Sequence, residues 1–190
     1  IYSYMLQYHQ GYERWTVDRF RHVIETAHMS LYALDQASDC GYQFYREQKE
    51  VIDEMVNRIG YNYQVTSAIR RGNQLEVTIR NTGLQPSFFN IDLCAEITDA
   101  NGNKISNFGS PVRISSGSFR DGTERTFTFN YTGTLSSDAT ICLAMYDADN
   151  ALVRGQNPTV RFDNRNNLSN NRLKLVVQSV TPGSGGGSGS

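Results

Sequence analysis

The chain has 190 residues, a formal net charge of -1 and a pI of about 6.3. This near-neutral charge lacks the basic surface that nucleic-acid binding requires, so we exclude nucleic acid as a partner. No apolar run approaches the roughly 18 residues of a membrane span. The sequence also predicts no metal site and no cofactor, because its histidines and its three cysteines lack metal-ligand spacing.

Residues 1–60 predict an α/β segment. Apolar residues at helical spacing indicate a first helix at residues 16–28 and a second helix that ends near residue 59. Between them, residues 29–34 are short and apolar, as expected of a buried strand. One strand cannot form a sheet, and the two helices leave apolar faces without partners unless they dock on the sandwich that follows. We therefore expect residues 1–60 to be the C-terminal remnant of a (β/α) barrel, in a chain that is a piece of a longer protein.

Barrels place catalytic residues at the C-terminal ends of their strands. Asp35 and Gln36 follow the predicted strand and are candidates on this ground, with Glu13, in the loop before the first helix, as a third. The alternative is that Asp35 and Glu13 simply occupy solvent-exposed loops. Glycoside hydrolysis requires two carboxylates that flank the sugar, and these residues do not define such a pair.

A change of period at residues 47–66 separates this segment from the rest of the chain. The second helix carries one apolar stripe, formed by Val51, Ile52, Met55, Val56 and Ile59. Gly60 follows where a helix C-cap glycine is expected, and residues 61–66 then alternate at the strand period.

Residues 61–180 predict an immunoglobulin-like antiparallel β-sandwich, so the fold class is mainly β with an α/β N-terminal part. The predicted strands are 61–69, 74–81, 88–98, 104–108, 112–115, 123–131, 139–146, 151–153, 159–162 and 173–177. Asn101-Gly102 predicts a hairpin with a type I′ turn. Cys94 and Cys142 fall in apolar strand runs, which favours buried free thiols over a disulfide between facing strands. The pattern does not define the state of Cys40.

Two polar loops are candidate calcium sites. Residues 99–103 and 147–150 alternate oxygen-bearing side chains as calcium loops do, but both are also expected to be plain turns, which we favour. The Asn-rich run from residue 163 to 171 predicts a solvated loop. Asn164, Arg165 and Asn167 in this run are candidates for carbohydrate binding, although the adjacent Phe162 is predicted to face the core. The Gly/Ser-rich composition of residues 181–190 predicts a flexible linker, either natural or engineered.

Three short motifs resemble a known family. Arg58-Ile59-Gly60-Tyr61-Asn62-Tyr63 is similar to the "R-x-G-Y-R-[FY]" of domain-of-unknown-function family 4832, with Asn62 in place of the usual Arg. Residues 75–83 (LEVTIRNTG) are similar to its "L-x-V-x-L-x-N-x-G". Residues 159–164 (TVRFDN) are similar to its "I-R-L-A-N". The resemblance covers residues 20 to 178.

The resemblance implies the last unit of a glycoside-hydrolase-like barrel followed by a C-terminal sandwich, in a secreted or surface protein of bacteria that acts on carbohydrate. It provides no established catalytic residues. We therefore expect a non-catalytic C-terminal portion of a carbohydrate-active protein, with the sandwich as an accessory or scaffold module and a polysaccharide or glycan as partner. The alternative is a self-sufficient carbohydrate-binding or adhesive module of the cell surface.

Overall fold

The computed structural model describes residues 17–27, 45–136, 139–150, 158–165, 167–168 and 170–180. The predicted strands 29–34 and 151–153 and the predicted linker 181–190 lie outside the described residues. Within them, two helices precede two β-sheets, and the predicted mainly-β fold class is confirmed. Neither described helix has the length and the hydrophobicity that crossing a bilayer demands.

Helices α1 (Val17–Ala27) and α2 (Lys49–Arg58) pack against each other along their apolar stripes. Leu84, from the β-sandwich, completes the cluster. Four helix side chains in it are at most 3% exposed: Phe20, Ile24, Ile52 and Met55. Val56 was predicted to be part of the buried stripe, but it is 53% exposed. At 100° per residue, Val56 lies about 70° from the centre of the stripe that Ile52 and Met55 define.

Ion pairs across the helices show that α1 and α2 run in the same direction. Arg21 Nη2 lies 2.9 Å from Glu54 Oε2, and Arg58 Nη1 lies 2.6 Å from Glu25 Oε1. From the first pair to the second, the residue number rises by four on both helices, which is about one helical turn, or 6 Å. The two helices therefore run in the same direction. These exposed pairs add little stability, and their value here is that they show the relative direction of the two helices.

The described part of the sandwich contains nine strands, which divide between two sheets. They are β1 (Tyr63–Arg71), β2 (Gln74–Asn81), β3 (Ile91–Thr98), β4 (Lys104–Asn107), β5 (Val112–Ile114), β6 (Glu124–Asn130), β7 (Thr140–Asp147), β8 (Leu173–Lys174) and β9 (Gln178–Ser179). The first sheet has the order β6-β2-β1-β9. The second has the order β4-β3-β7-β8, and β5 pairs with β3 beyond the end of β4. This division, with β1, β2 and β6 opposite β3, β7 and β8, is that of strands A, B and E opposite C, F and G in immunoglobulin domains.

The core lies between the sheets and follows the predicted alternation. Leu75, Val77 and Ile79 of β2 are fully buried. Phe127 and Phe129 of β6 also face the core, as predicted, whereas Thr126 and Thr128 are exposed. The strand bounds agree with the sequence for β2, and β1 begins two residues later than expected.

The end of the chain corrects two predictions, because it crosses three times between the sheets. The predicted strand 159–162 contributes only a bridge between Val160 and Met145. The Asp163 amide then donates to Tyr63 O, 2.9 Å away in the first sheet. The predicted strand 173–177 ends at Lys174, since the chain crosses again to form β9. β9 runs parallel to β1, so the sandwich is not wholly antiparallel.

The predicted type I′ turn at Asn101-Gly102 is wrong. Such a turn requires positive φ at both residues, whereas φ is positive at Gly102 (81°) and not at Asn101. The Asp99 carboxylate accounts for the difference. It accepts hydrogen bonds from the backbone amides of Asn101 and Asn103, at 2.9 and 2.8 Å, and closes a wider loop.

Candidate functional site

The joint between the helices and the sandwich, which we call the seam, is held by backbone hydrogen bonds. Gly60 follows α2 with a φ of 77°, which confirms the predicted C-cap glycine. The carbonyl of Arg58 accepts a hydrogen bond from the Leu84 amide at 2.8 Å, and that of Gly60 accepts one from the Gln85 amide at 2.9 Å. The loop after β2 thus satisfies the carbonyls at the end of α2, which otherwise have no partner within the helix.

Asn81, at the end of β2, is the centre of the seam. Its side chain is fully buried and makes four hydrogen bonds. Oδ1 accepts from the backbone amides of Asn62 and Gly83, both at 3.0 Å. Nδ2 donates to the carbonyls of Gln85, at 2.7 Å, and Phe119, at 2.9 Å. An asparagine amide can make four hydrogen bonds, so this buried polar group is fully satisfied.

Gly83 is required at the seam for space. A Cβ atom at this position would lie 2.3 Å from Gly60 O and 2.7 Å from Asn62 N, both of them backbone atoms. No side-chain movement can relieve such a contact, so the two backbone segments can approach this closely only with glycine at residue 83.

The predicted catalytic candidates Glu13, Asp35 and Gln36 lie outside the described residues, as does Cys40. Their predicted roles stay predictions. Among the residues that the structure describes, no group of three His, Cys, Asp or Glu side chains is placed to hold a metal ion.

The predicted carbohydrate-binding residues lie in the segment that crosses between the sheets. Asn164 bonds to the β1 backbone: its Oδ1 accepts from Val65 N at 2.9 Å, and its Nδ2 donates to Val65 O at 3.0 Å. Asn167 Nδ2 donates to the carbonyls of Phe162, at 2.7 Å, and Asn164. Both amides therefore hold the loop in place, whereas Arg165 is exposed. Carbohydrate binding by these three residues stays a prediction.

A polar cleft of about 350 Å³ lies beside this segment. Its lining residues are Asn62, Arg161, Phe162, Asp163, Asn164, Arg165 and Asn167. The sequence prediction did not include Arg161 and Asp163. Their signal was the period of two across residues 160–165, in which Val160 and Phe162 are buried while Arg161, Asp163 and Arg165 are exposed.

A buried ionic cluster lies on the outer face of the second sheet, and the sequence did not predict it. Glu96 is fully buried, and Arg172 Nε donates to its Oε2 at 2.7 Å. Tyr146 donates to Glu96 Oε1 at 2.8 Å, and Lys104 Nζ lies 3.0 Å from the same oxygen. Burial and the bond to Glu96 raise the pKa of Tyr146 above its usual range. Because every member has a partner and Glu96 is inaccessible, the cluster is suited to structural support rather than catalysis.

Cys94 and Cys142 are free and buried, as the sequence favoured. Burial raises the pKa of Cys94 to about 12, and burial also raises the pKa of Cys142. A nucleophilic cysteine needs a lowered pKa and solvent access. These two thiols therefore have the properties of core residues.

In both candidate calcium loops, the acidic side chains accept hydrogen bonds from nearby amides. The Asp99 carboxylate accepts a hydrogen bond from Asn103 Nδ2 as well as from two backbone amides. The hydrogen bonds from Asn103 lower the pKa of Asp99. The Asp149 carboxylate accepts from Asn90 N and Nδ2. Asp147 Oδ1 accepts from Asp149 N at 2.9 Å.

No family model matches this chain, and no curated protein matches it. Among solved structures, it is similar to the ligand binding region of Serine-glutamate repeat protein A (SgrA) of Enterococcus faecium. The similarity has a TM-score of 0.35 and 11% sequence identity, over 47% of this chain and 83% of that chain. A TM-score this low supports no inference about the function of this chain.

Proposed function

We propose that this chain is the non-catalytic C-terminal portion of a secreted, glycoside-hydrolase-like, carbohydrate-active protein. In this proposal the sandwich is an accessory module that fixes the end of a (β/α) barrel. The observation that carries it is the seam. An accessory module must transmit rigidity, and the seam joins helix to sandwich through backbone hydrogen bonds, a buried Asn81 and the apolar contact of Leu84.

The parallel direction of α1 and α2 supports the barrel part of the proposal. Two sequential helices that run parallel require a connection that returns along them. A six-residue strand spans about 20 Å, which matches the roughly 16 Å length of α1. The predicted strand 29–34 would supply this return, and helix, strand and helix in this order form the repeating unit of a (β/α) barrel.

The positions of the three motifs support the resemblance to domain-of-unknown-function family 4832. Arg58 and Gly60 of the first motif accept hydrogen bonds from Leu84 and Gln85, which directly follow the second motif. Asn81 and Gly83 of the second motif are the seam residues themselves. Asn164 of the third motif bonds to Val65, two residues after the end of the first motif. Motifs that are far apart in sequence thus serve one connected structure.

Native-state hydrogen exchange on the whole chain tests the scaffold role. A rigid seam couples α2 to the sandwich, so we expect the α2 amides of Ile52 and Met55 to exchange with the same opening free energy as those of β2. Exchange of α2 at the rate of an isolated helix would overturn the scaffold role. An assay on a panel of glycans tests the other half of the proposal. We expect no hydrolysis, and turnover by this chain would refute a non-catalytic portion.

The second candidate function is a carbohydrate-binding or adhesive module of the cell surface. The specific observation in its favour is the polar cleft beside residues 161–167, which is built almost entirely from the sandwich. Binding of glycan by this chain would favour that function, whereas a scaffold has no need of it.

A further inference from the structure

The polar cleft is built on a loop that the fold holds rigid. Phe162 anchors the loop in the core with 2% exposure. Asn164 fixes it to β1 through two hydrogen bonds, and Asn167 fixes it to two of its own carbonyls. The Asp163 amide adds a bond to Tyr63 O. A loop held at this many points presents its outward side chains with little loss of entropy on binding.

The outward side chains of this loop are charged and lack partners. Arg161, Asp163 and Arg165 line the cleft and are exposed. In the described part of the chain, neither guanidinium has an ion pair or a hydrogen bond. Arg58, Arg113 and Arg172, in contrast, each pair with a carboxylate. The cleft therefore carries two free cations and one anion, an excess of positive charge in a chain of net charge -1.

The lining excludes one common mode of sugar recognition. Neutral sugars stack on exposed aromatic rings, but among the described residues that line the cleft the one aromatic is Phe162, whose ring faces the core. A guanidinium instead binds a carboxylate through two parallel hydrogen bonds. The volume of about 350 Å³ is at the lower end of the roughly 300–1,000 Å³ of small-molecule sites, which suits a ligand of one or two sugar rings.

A second cleft of similar volume differs from the polar cleft in the charged groups that it offers a ligand. It lies between the β3–β4 hairpin and the segment after β6, with Ile97, Ile105 and Leu135 in its lining. Asp99 is the one charged group among the described lining residues, and its carboxylate is already held by Asn101 and Asn103. It therefore offers a ligand no free charge.

We propose that the cleft at residues 161–167 binds an acidic saccharide, with Arg161 and Arg165 recognising the carboxylate of a uronic acid unit and Asn62 contacting a sugar hydroxyl. Asp163 opposes binding through its like charge and lowers the affinity for ligands with higher charge density. The inference does not rest on the scaffold function proposed above, since a scaffold and a binding site can share one module.

The test is titration calorimetry of the whole chain with trigalacturonate at low ionic strength, with the neutral maltotriose and inorganic sulfate as comparison ligands. We expect saturable binding of trigalacturonate that weakens at least fivefold between 20 and 200 mM salt. The double variant Arg161→Gln/Arg165→Gln should lose at least tenfold in affinity. The matched control Arg80→Gln/Arg120→Gln removes the same charge from exposed arginines outside the cleft and should retain the affinity within twofold.

The variant Asp163→Asn gives the most discriminating test, because the proposal predicts that it binds trigalacturonate more tightly. Removing the like charge should tighten trigalacturonate binding by about two- to fivefold at low salt. Thermal melts of each variant would show that the fold is retained, since these three side chains make no contact that supports it. Equal affinity for maltotriose, equal affinity for sulfate alone, no binding of trigalacturonate, or unchanged affinity in Arg161→Gln/Arg165→Gln would each overturn the proposal.

Discussion

Gly83→Ala tests whether the seam couples the helices to the sandwich. The added Cβ would meet three backbone atoms: Gly60 O at 2.3 Å, Asn62 N at 2.7 Å and Tyr61 Cα at 2.9 Å. Real Cβ atoms do not approach backbone this closely, so one segment must move. The backbone conformation of Gly83 is itself open to alanine, because its φ is not in the positive region. Any cost therefore comes from the contact and not from the turn.

The magnitude follows from the bonds that the movement strains. Overpacking of this kind costs about 1–3 kcal/mol. The hydrogen bonds from the Leu84 and Gln85 amides, at 2.8 and 2.9 Å, each contribute about 1 kcal/mol to stability. Taken together, we expect Gly83→Ala to lower the free energy of unfolding by about 3–5 kcal/mol. The helices should lose more, because Leu84 would withdraw from the cluster that contains Ile52 and Met55.

Urea unfolding and hydrogen exchange measure the two parts separately. Ellipticity at 222 nm should show a helix transition in Gly83→Ala that precedes unfolding of the sandwich, and the α2 amides should lose protection before those of β7. Gly72→Ala is the control. Gly72 lies at the opposite end of the β1–β2 hairpin with open space around it and a φ of 59°, so alanine there costs only the left-handed strain of roughly 1–2 kcal/mol. If Gly83→Ala left α2 as protected as Gly72→Ala does, the rigid seam would be refuted.

Three further predictions concern the sandwich. Glu96→Leu should cost about 3–5 kcal/mol because it leaves Arg172 buried without its carboxylate, and addition of Arg172→Met should restore most of the loss in a double-mutant cycle by urea unfolding. Burial raises the pKa of Cys94 from 9.0 to about 12, so the folded state binds more protons than the unfolded state in this interval. Stability should therefore fall as the pH rises between about 9 and 12, and Cys94→Ala should reduce that fall. Asn164→Ala should cost about 2 kcal/mol through its two bonds to Val65, measured as a shift in the urea midpoint.

The local sequence pattern predicted those elements in which each residue faces either the core or the solvent. β2 has the predicted bounds because Leu75, Val77 and Ile79 alternate with polar residues, and the alternation itself assigns the faces. Gly60 was predictable for the same reason, since a helix end with a positive φ strongly favours glycine. In each case the signal lies within a few residues of the feature that it predicts.

Contacts between distant residues left no comparable signal. Arg172 and Glu96 are 76 positions apart, and Glu96 was visible only as one of two carboxylates in a mostly apolar strand. Asn81 resembled an ordinary polar strand end, because its four partners come from three separate segments. β9 was not predicted because a parallel pair of two residues depends on the chain crossing between sheets, which no local period records.

Sequence composition was also limited in predicting which side chains of the polar cleft are available to a ligand. Asn164 and Asn167 were chosen as ligand residues because amides bind sugars, but their amides are used to build the loop. In the binding proposal above, recognition therefore falls to Arg165, which was also a predicted candidate, and to Arg161, and both side chains project away from the core. The distinction follows from the alternation across residues 160–165. Asn-rich composition pointed to the loop, and the period of two within it shows which side chains remain available to a ligand.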